Sequence, residues 1–433
     1  MKIVFVLECA NILNNGTTAT CLRFAKGLKA KGHEVRLVGT TYNNPDDAPD
    51  DYYPQEPFHF PFFQWLIAKE GFTFCHVDDV SLYYAIQDAD LVHLFLPFKL
   101  ESHARLIAES LGVPVTSAFH LLPQNITSAI HLGWTHGINT ILFNSFRRYQ
   151  YDYTKYVHCP STMTAREIRL HHYRRSVPVV ISNGVNTDFF HPIETKKPKE
   201  LEGLFVVTAV GRLAHEKRQD LLIKAVAKSK YNDKIQLILC GQGPEKKRYL
   251  RLAKKVGLAH PLIIQFCKQD HLREILNWSD LYVHCSDFEI EGISCIEAFA
   301  CGAVPIIADA YMSATNTFSL DNRCLFHHGS VRSLTKRIDY FLDNPLIRMD
   351  LRQKYIDNAK NYALPLMIDQ FEKMLLIAVE DHKHGTDWPS LERRKKDIVK
   401  SRRIFKKLIK QGVVEEMPES LVNPFAFFLR SLK

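Results

Sequence analysis

The stretch FVVTAVGRLAHEK, residues 205–217, decides the fold of this chain. Its apolar run up to Val210 has the length of a buried strand, and Gly211 then marks a turn. Arg212 and Lys217 lie just past the strand end. Because Arg can bind phosphate oxygens through two parallel hydrogen bonds and Lys acts as a point charge, this turn suits a diphosphate. The alternative is an exposed basic turn.

The same alternation of strand-like runs and helix-like segments extends on both sides of this stretch. Further strands are predicted at Ile3 to Leu7, Glu34 to Val38, Leu91 to Phe95, Val113 to Ala118, Ile235 to Cys240 and Leu281 to Val283. Helices are predicted at Thr18 to Lys31, Asp220 to Lys228 and Lys246 to Val256. Buried strands that alternate with helices form parallel sheets covered on both faces. We therefore predict an α/β chain of Rossmann-like, doubly wound sheets.

The chain is too long for one hydrophobic core: it has 433 residues, and cores stop growing near roughly 250–300 residues. A charged linker at Pro192 to Glu202 separates the two series of strands. We predict an N-terminal domain at 1–192, a second domain at 193–380 and a C-terminal extension at 381–433. Ligands of open α/β sheets bind beyond the carboxyl ends of the strands, so we expect the domains to face each other across a cleft.

An insertion from Asn43 to Phe63 interrupts the alternation in the first domain. It is rich in Pro and acidic residues and then becomes aromatic from Phe58 to Trp65. This composition predicts a surface loop that faces a partner.

A second motif, SDFEIEGISCIEAFACG at residues 286–302, follows the last predicted strand. Gly292 opens a helix, and the amides of Ile293 and Ser294 fall in its first turn, where free N–H groups form an anion site. Glu297 is the acidic residue of this otherwise apolar helix. A carboxylate in such surroundings needs a partner, either ribose hydroxyls or a neighbouring backbone group.

Together these motifs resemble those of the GT-B glycosyltransferases of the large retaining family 4. Glu289 and Glu297 match the E-x7-E element of that family, and Gly211-Arg212-Leu213 with Lys217 matches its diphosphate-binding turn. The segment Asn183-Gly184-Val185-Asn186 is similar to the one that closes the first domain of family members. The resemblance covers most of the chain and implies two Rossmann-like domains that transfer a sugar from a nucleotide-sugar donor.

The resemblance also implies a role for each matched residue of the second domain. Arg212 and Lys217 would neutralise the donor diphosphate, and Glu297 would hold the nucleotide ribose. Glu289 would bind sugar hydroxyls. The amides of Ile293 and Ser294 would approach the β-phosphate and stabilise the charge on the departing nucleotide.

Two positions depart from the family pattern. Gly16, in the loop after the first strand, would let the backbone approach the donor, but the loop reads Asn14-Asn15-Gly16-Thr17 where the family usually shows two glycines. Ile290-Glu291 replaces the usual small residue and Phe, so Glu291 is either a local novelty or a solvated side chain.

His120 ends a predicted strand that begins at Val115, which is a position that suits a cleft. In the family that the chain resembles, a His here lies near the transferred sugar, and its imidazole would donate a hydrogen bond to the sugar or the leaving phosphate. A structural His is the alternative. Since no independent carboxylate pair indicates double displacement, front-face retention is favoured and Glu289 as nucleophile is the lesser alternative.

The charge of the chain is concentrated near its C terminus. There are 56 Lys and Arg against 47 Asp and Glu, a net charge of +9, and residues 393–410 alone hold ten bases and one acid. Apolar residues recur there at helical spacing, which predicts a basic amphipathic helix that contacts an anionic membrane. The alternative is a helix docked on the body by its apolar side, with its bases in solvent. The residues expected at the membrane are Arg393, Arg394, Lys395, Lys396, Arg402, Arg403, Lys406 and Lys407.

Other classes of protein are disfavoured. No apolar stretch approaches the roughly 20 residues that cross a bilayer, and residues 1–7 resemble a strand rather than a signal peptide, which predicts a cytoplasmic location. The ten cysteines form no C-x-x-C pair, and Asp88-Ala89-Asp90 precedes a strand, so neither a metal nor another cofactor is predicted. Lys246 stands where a dinucleotide-binding motif needs its third glycine, which disfavours a nicotinamide dehydrogenase. A nucleic-acid partner is not expected, because no binding module accompanies the basic segment.

The sequence therefore predicts a retaining hexosyltransferase (EC 2.4) whose co-substrate is a nucleotide-sugar, with a UDP-sugar favoured. The expected acceptor is a membrane lipid or lipid-linked glycan, reached from the cytoplasmic face of the membrane. The same chemistry on a soluble saccharide or polysaccharide is one alternative. A non-catalytic nucleotide-sugar-binding subunit is another.

Overall fold

A computed structural model describes residues 1–12, 15–59, 72–128, 132–133, 135–386 and 391–423. The chain divides into two compact units. The first unit contains Met1–Ile181 and Ile368–Lys433, and the second contains Ser182–Met367.

The first unit is built on a seven-stranded parallel sheet with the strand order β3-β2-β1-β6-β7-β8-β9. Two further short strands, β4 and β5, pair antiparallel. The strands are β1 Lys2–Val6, β2 Glu34–Thr40, β3 Tyr52–Gln55, β4 Pro57–Phe58, β5 Phe74–Cys75, β6 Leu91–Leu94, β7 Val115–Ala118, β8 Tyr156–Cys159 and β9 Val177–Val180.

Helices cover this sheet and continue into the C-terminal part of the chain. The helices before the second unit are α1 Gly16–Ala30, α2 Asp79–Ile86, α3 Lys99–Leu111, α4 Pro123–Thr127, α5 His136–Phe146 and α6 Thr162–Leu170. A π-helical turn, Arg147–Tyr151, follows α5 directly. Near the C terminus lie α13 Leu364–Lys383, α14 Leu391–Lys410 and α15 Glu419–Val422, of which α13 begins in the second unit.

The second unit is built on a six-stranded parallel sheet with the order β12-β11-β10-β13-β14-β15. Its strands are β10 Phe205–Val210, β11 Ile235–Cys240, β12 Ile263–Gln265, β13 Leu281–His284, β14 Val304–Asp309 and β15 Leu325–His327. Its helices are α7 Gln219–Ala227, α8 Lys246–Val256, α9 Gln269–Trp278, α10 Ile293–Ala300, α11 Val331–Asp343 and α12 Pro345–Ala359. Two parallel-sheet, Rossmann-like domains confirm the predicted fold class.

Element boundaries agree best where a long apolar run settles the structure. Strands β10 and β11 and helix α8 have the predicted bounds. The prediction of a loop at Asn43 to Phe63 is wrong in part, because Tyr52–Gln55 pairs with β2 as a strand. The aromatic residues from Phe60 to Trp65 lie outside the described residues.

The unit boundaries differ from the predicted domain limits for a physical reason. Residues 182–192, expected in the first domain, belong to the second unit, where the backbone of Val185 pairs with Ala363. Residues 368–380, expected in the second domain, belong to the first. Phe371 is fully buried there, with ring centroids 4.7 Å from Phe24 and 6.1 Å from Phe5.

Helix α14 docks on the first unit by its apolar side. Ile404, Phe405 and Leu408 are buried and join the core formed by helices α2 and α3. Lys395, Lys396, Arg402, Arg403, Lys406 and Lys407 are exposed, while the side chains of Arg393 and Arg394 lie outside the described part. The apolar side of α14 is therefore packed on the body, as in the alternative considered above. The expectation that this apolar side contacts a membrane is corrected. Within the described ranges, no helix has the length and apolar character needed to cross a membrane.

Candidate functional site

Lys217, Glu289 and His284 form the centre of the candidate site in the second unit. The Lys217 ammonium donates to Glu289 Oε2, and His284 Nε2 lies 3.3 Å from the same oxygen. Burial by itself would raise the pKa of the Glu289 carboxyl, but Lys217 and His284 outweigh burial and lower this pKa to about 2. Glu289 is therefore ionised at neutral pH and is paired with the Lys217 ammonium.

The N-terminus of helix α10 lies beside this carboxylate. Gly292 caps the helix with φ +88°, and a Cβ there would be 2.3 Å from Thr315 Cγ2 and 3.3 Å from Glu289 Cγ. Only glycine fits this conformation and this space without strain. The amides of Ile293 and Ser294 occupy the first turn, as predicted, and helices leave such amides without intrahelical partners. A helix terminus of this kind attracts anions.

A chain of hydroxyl groups connects the helix to the carboxylate cluster. Tyr282 OH lies 2.9 Å from Ser294 Oγ and 3.1 Å from His284 Nδ1, within the buried end of β13. Ser294 Oγ also lies 3.5 Å from the carbonyl oxygen of Val210, the last residue of β10. The first turn of α10 and the Arg212 turn therefore begin at the same edge of the sheet.

Arg212 and Glu297 flank this edge. Arg212 Nη2 donates to Glu216 Oε1 at 2.8 Å, so this cation, like Lys217, has a carboxylate partner within the unit. Glu297 is partly exposed on α10, one turn beyond Ile293 and Ser294. The predicted donor-binding residues of the second unit are thus brought to one sheet edge and the helix beside it.

Glu291 is neither solvated nor part of this cluster. Its carboxylate is buried and accepts hydrogen bonds from the Ser182 hydroxyl and from the backbone N–H of Asn183, the latter at 3.1 and 3.2 Å. The solvated alternative is therefore wrong. Glu291 holds the first residues of the second unit in place.

His120 lies in the first unit, two residues past the end of β7, and is buried. His120 Nε2 is 3.3 Å from His158 Nδ1, and His158 Nε2 is 2.7 Å from the carbonyl oxygen of Ile181. Burial lowers the pKa of His158 to about 4 and, with the neighbouring histidines His158 and His93, lowers the pKa of His120 as well. Burial likewise lowers the pKa of His93, so all three imidazoles are neutral at physiological pH.

These contacts fix the proton positions on His120. A carbonyl oxygen only accepts, so His158 Nε2 carries its proton and His158 Nδ1 must accept one from His120 Nε2. His120 Nδ1 is then an acceptor. In this tautomer the His120 nitrogen that does not face His158 can accept a hydrogen bond but cannot donate one, which differs from the donor role predicted for this imidazole.

Two buried carboxylates lie at the end of β1 in the same unit. Glu101 Oε1 accepts from the backbone N–H of Glu8 at 3.1 Å, and Glu8 Oε1 accepts from the N–H of Cys75 at 3.2 Å. Burial raises the pKa of both carboxyls, and the charge of Glu8 raises that of Glu101 further. The pair thus retains a proton at pH values where exposed carboxyls have lost theirs.

Two other predicted residues have simpler surroundings. Gly16 is the first residue of α1 rather than part of the preceding loop, and a Cβ there would meet no atom within 4 Å. Asp88 pairs with Lys2 at 2.6 Å and with Arg36 at 2.5 Å, while Asp90 accepts from the backbone N–H of Lys2. The Asp88 and Asp90 carboxylates thus join elements at a sheet edge. Among the described residues, no group of three or more His, Cys, Asp or Glu is placed to hold a metal.

Sequence reasoning missed several residues that contact the candidate residues of each unit. His284, Tyr282 and His158 were not predicted, and neither was the pairing of Glu216 with Arg212. His284 is the last residue of a strand, as His120 nearly is, so the same positional argument would have found it. Tyr282 and His158 lie inside apolar strands, where the pattern predicts only core residues.

Comparison with known proteins places the chain among sugar-transferring enzymes. The family described as Glycosyltransferase Family 4 matches residues 14–189, and the family described as Glycosyl transferases group 1 matches residues 191–362. The two parallel-sheet domains and these matches define a glycosyltransferase of the GT-B fold. The chain belongs to the glycosyl transferases of group 1, family 4.

Three proteins that the chain is similar to share a quarter or less of its residues over the aligned length. A GDP-mannose-dependent alpha-mannosyltransferase of Corynebacterium glutamicum is 25% identical over 71% of this chain and 72% of its own length. The GPI3 subunit of a phosphatidylinositol N-acetylglucosaminyltransferase of Saccharomyces cerevisiae is 24% identical over 62% of this chain and 59% of its own. The solved structure of Anabaena HepE with UDP and glucose has a TM-score of 0.66, is 17% identical, and covers 87% of this chain and 99% of that one.

Proposed function

We propose that the chain is a retaining hexosyltransferase that uses a nucleotide-sugar donor, with a UDP-sugar favoured. The observation that carries this proposal is the cluster of Lys217, Glu289 and His284 beside the first-turn amides of α10. The cluster supports the proposal because cations and helix amides can stabilise the charge of a departing diphosphate, and a carboxylate can accept hydrogen bonds from sugar hydroxyls.

In this proposal Arg212 and Lys217 bind the diphosphate, and the amides of Ile293 and Ser294 bind its β-phosphate. These groups stabilise the charge that develops on the leaving nucleotide, which accelerates the step. Glu297, partly exposed one turn further along α10, accepts hydrogen bonds from the ribose hydroxyls. The proposal uses no metal.

Glu289 is proposed to hold the sugar rather than to attack it. Its carboxylate already contacts two cationic or donor groups, and its low pKa reflects a stabilised anion of reduced nucleophilicity. This favours front-face retention, in which the acceptor attacks on the side of the leaving group. His120 would accept a hydrogen bond from a sugar hydroxyl through Nδ1.

The proposed acceptor is a membrane lipid or lipid-linked glycan. The exposed basic face of α14 supports it, because such faces bind anionic lipid surfaces. The name of the yeast relative refers to a phosphatidylinositol glycosyltransferase. A soluble saccharide is the alternative acceptor. Radiolabelled sugar recovered in a chloroform extract of membranes would support the lipid, and label confined to water-soluble product would support the saccharide.

The donor site can be tested by thermal-shift binding. UDP, GDP and their common sugar conjugates are added to the wild type and to Arg212→Ala, each with and without a divalent metal. A bound ligand raises the apparent stability by mass action, so one nucleotide is expected to raise the Tm of the wild type and not that of the variant.

The matched control is Arg251→Ala, which removes the same charge from an exposed position of α8. This variant should keep the full nucleotide shift. Absence of any shift in the wild type would contradict the donor site and favour a non-catalytic subunit. A shift with GDP alone would replace the UDP-sugar by the donor named for the Corynebacterium relative.

A further inference from the structure

A cavity of about 580 Å³ lies within the first unit and contains none of the residues proposed for the donor. Helix α3, helix α5, the following π-helical turn and helix α14 contribute its walls. Its lining includes the cations Arg105, Arg148 and Lys400 and the carboxylate of Asp397. Its volume falls within the range of small-molecule sites.

One wall of the cavity is held rigidly by Arg105, which is 2% exposed. Its guanidinium lies 3.7 Å from the centre of the Tyr153 ring and pairs with Glu109 at 2.9 Å and Asp397 at 3.0 Å. Arg105 Nε is buried and donates to no described residue. A buried N–H of this kind is costly unless a ligand or water accepts from it.

Two further cations face the cavity and remain accessible. Arg148 is exposed and makes no ion pair with any described residue, and Lys400 lies 3.9 Å from Asp397 Oδ1. The lining therefore holds three cations and one carboxylate, and Glu109, beside the cavity, pairs with Arg105. The excess positive charge favours an anion.

The remaining lining groups narrow the chemistry of this anion. Ser102, Ser145 and Asn144 offer hydroxyl and amide groups that bond to ligand hydroxyls. At the rim Ile141 is 68% exposed and Tyr149 is 54% exposed. Exposed aliphatic and Tyr side chains beside cations are typical of surfaces that meet a bilayer at head-group level.

We propose that this cavity binds the phosphate-bearing, hydroxylated head group of an anionic lipid. Arg148 and Lys400 bind the phosphate, and the Ser and Asn side chains bind the hydroxyls. The inference goes beyond the proposed donor chemistry, and it rests on the proposed function only in that a membrane acceptor brings the enzyme to a lipid surface.

The test is flotation of the full chain with phosphatidylcholine vesicles that contain phosphatidylglycerol, whose head group is a glycerol phosphate. Arg148→Ala combined with Lys400→Ala should weaken vesicle binding at least about tenfold, because both phosphate contacts are lost. The matched control, Arg169→Ala with Lys26→Ala, removes one Arg and one Lys from exposed positions of the same unit that do not line the cavity. It should bind within about twofold of the wild type.

The proposal would be overturned if vesicle binding fell equally in both double variants, or if it did not fall in Arg148→Ala with Lys400→Ala. Calorimetry with free sn-glycerol 3-phosphate tests whether the ligand is a lipid head group or a soluble phosphate compound. Binding of this compound without vesicle binding would overturn the assignment to a lipid. Nucleotide thermal shifts of both double variants separate failure of this proposal from failure of the proposed function. Loss of vesicle binding with a normal nucleotide shift in the cavity variant supports the lipid site. Normal vesicle binding without any nucleotide shift would contradict the proposed donor site instead.

Discussion

At the scale of single residues, both cations that we propose bind the donor diphosphate have carboxylate partners. Lys217 pairs with Glu289, and Arg212 pairs with Glu216. A diphosphate must therefore compete with these carboxylates for the same cations. In the proposed site, the Glu289 carboxylate would therefore weaken nucleotide binding while it helps to hold the sugar.

Glu289→Gln is expected to bind the nucleoside diphosphate more tightly and to transfer sugar more slowly. The amide keeps the shape of the side chain but releases Lys217 and removes a negative charge near the phosphates, which should lower the Kd about tenfold, or about 1.4 kcal/mol. Calorimetric titration with the nucleotide and a transfer assay measure the two effects. Weaker nucleotide binding would show that Glu289 positions Lys217 instead of competing for it.

His158 is expected to act on the reaction through His120. His158→Phe removes the acceptor for His120 Nε2, so the fixed tautomer is lost, whereas Gln can both accept from His120 and donate to the Ile181 carbonyl. We expect kcat to fall about tenfold in the Phe variant with little change in the donor KM, and partial rescue by Gln. Nitrogen NMR shifts of His120 report the tautomer directly. An unchanged His120 tautomer in His158→Phe would contradict the prediction that His158 fixes the proton position on His120.

At the scale of elements, the start of α10 depends on Gly292. Gly292→Ala should destabilise the protein through both its positive φ and the contact with Thr315, by about 2–4 kcal/mol. The reference is Gly112→Ala at the C-cap of α3, where φ is +76° and a Cβ meets no atom within 4 Å. That variant should lose only about 1–2 kcal/mol. Chemical denaturation measures both, and equal losses would show that the Thr315 contact is unimportant.

The end of β1 and the start of α3 carry the Glu8 and Glu101 pair, whose pKa values are raised by burial. A buried carboxyl with a raised pKa keeps its proton while the unfolded chain loses one, so stability falls as pH rises from the usual carboxyl range towards neutrality. Glu101→Gln should therefore reduce the stability difference between about pH 5 and about pH 8. Glu34→Gln, at an exposed position, is the control. An unchanged pH slope in Glu101→Gln would contradict the raised pKa of Glu101.

The sequence predicts elements best where one physical signal is sufficient. Long apolar runs defined β10 and β11, and a glycine before an apolar helix defined the start of α10 with its Ile293 and Ser294 amides. The pattern failed at β3, because Tyr52–Gln55 is short and lies among Pro and acidic residues, so that only its pairing with β2 makes it a strand. Likewise, the His120 tautomer depends on His158, which is distant in sequence and hidden inside an apolar strand.

At the scale of the whole molecule, the segment that begins at Ile368 contributes buried side chains to the first unit. Phe371→Ala should cost about 3–5 kcal/mol, because the fully buried ring packs against Phe24, Phe5 and two buried histidines. Leu376→Ala, 47% exposed on the same helix, should cost little. Limited proteolysis with mass spectrometry should show peptides of residues 1–181 released first in Phe371→Ala. Equal protection of these peptides in both variants would show that the first unit does not depend on Phe371.

The closure of the first unit by residues 368–433 also sets an order of events during synthesis. A ribosome releases all of residues 182–367 before the segment that contains Phe371 and α14 has emerged. The second unit can then fold while the N-terminal strands still expose the apolar surface that this segment covers. The nascent N-terminal half is thus the part that most needs a chaperone, although it is the first to leave the exit tunnel.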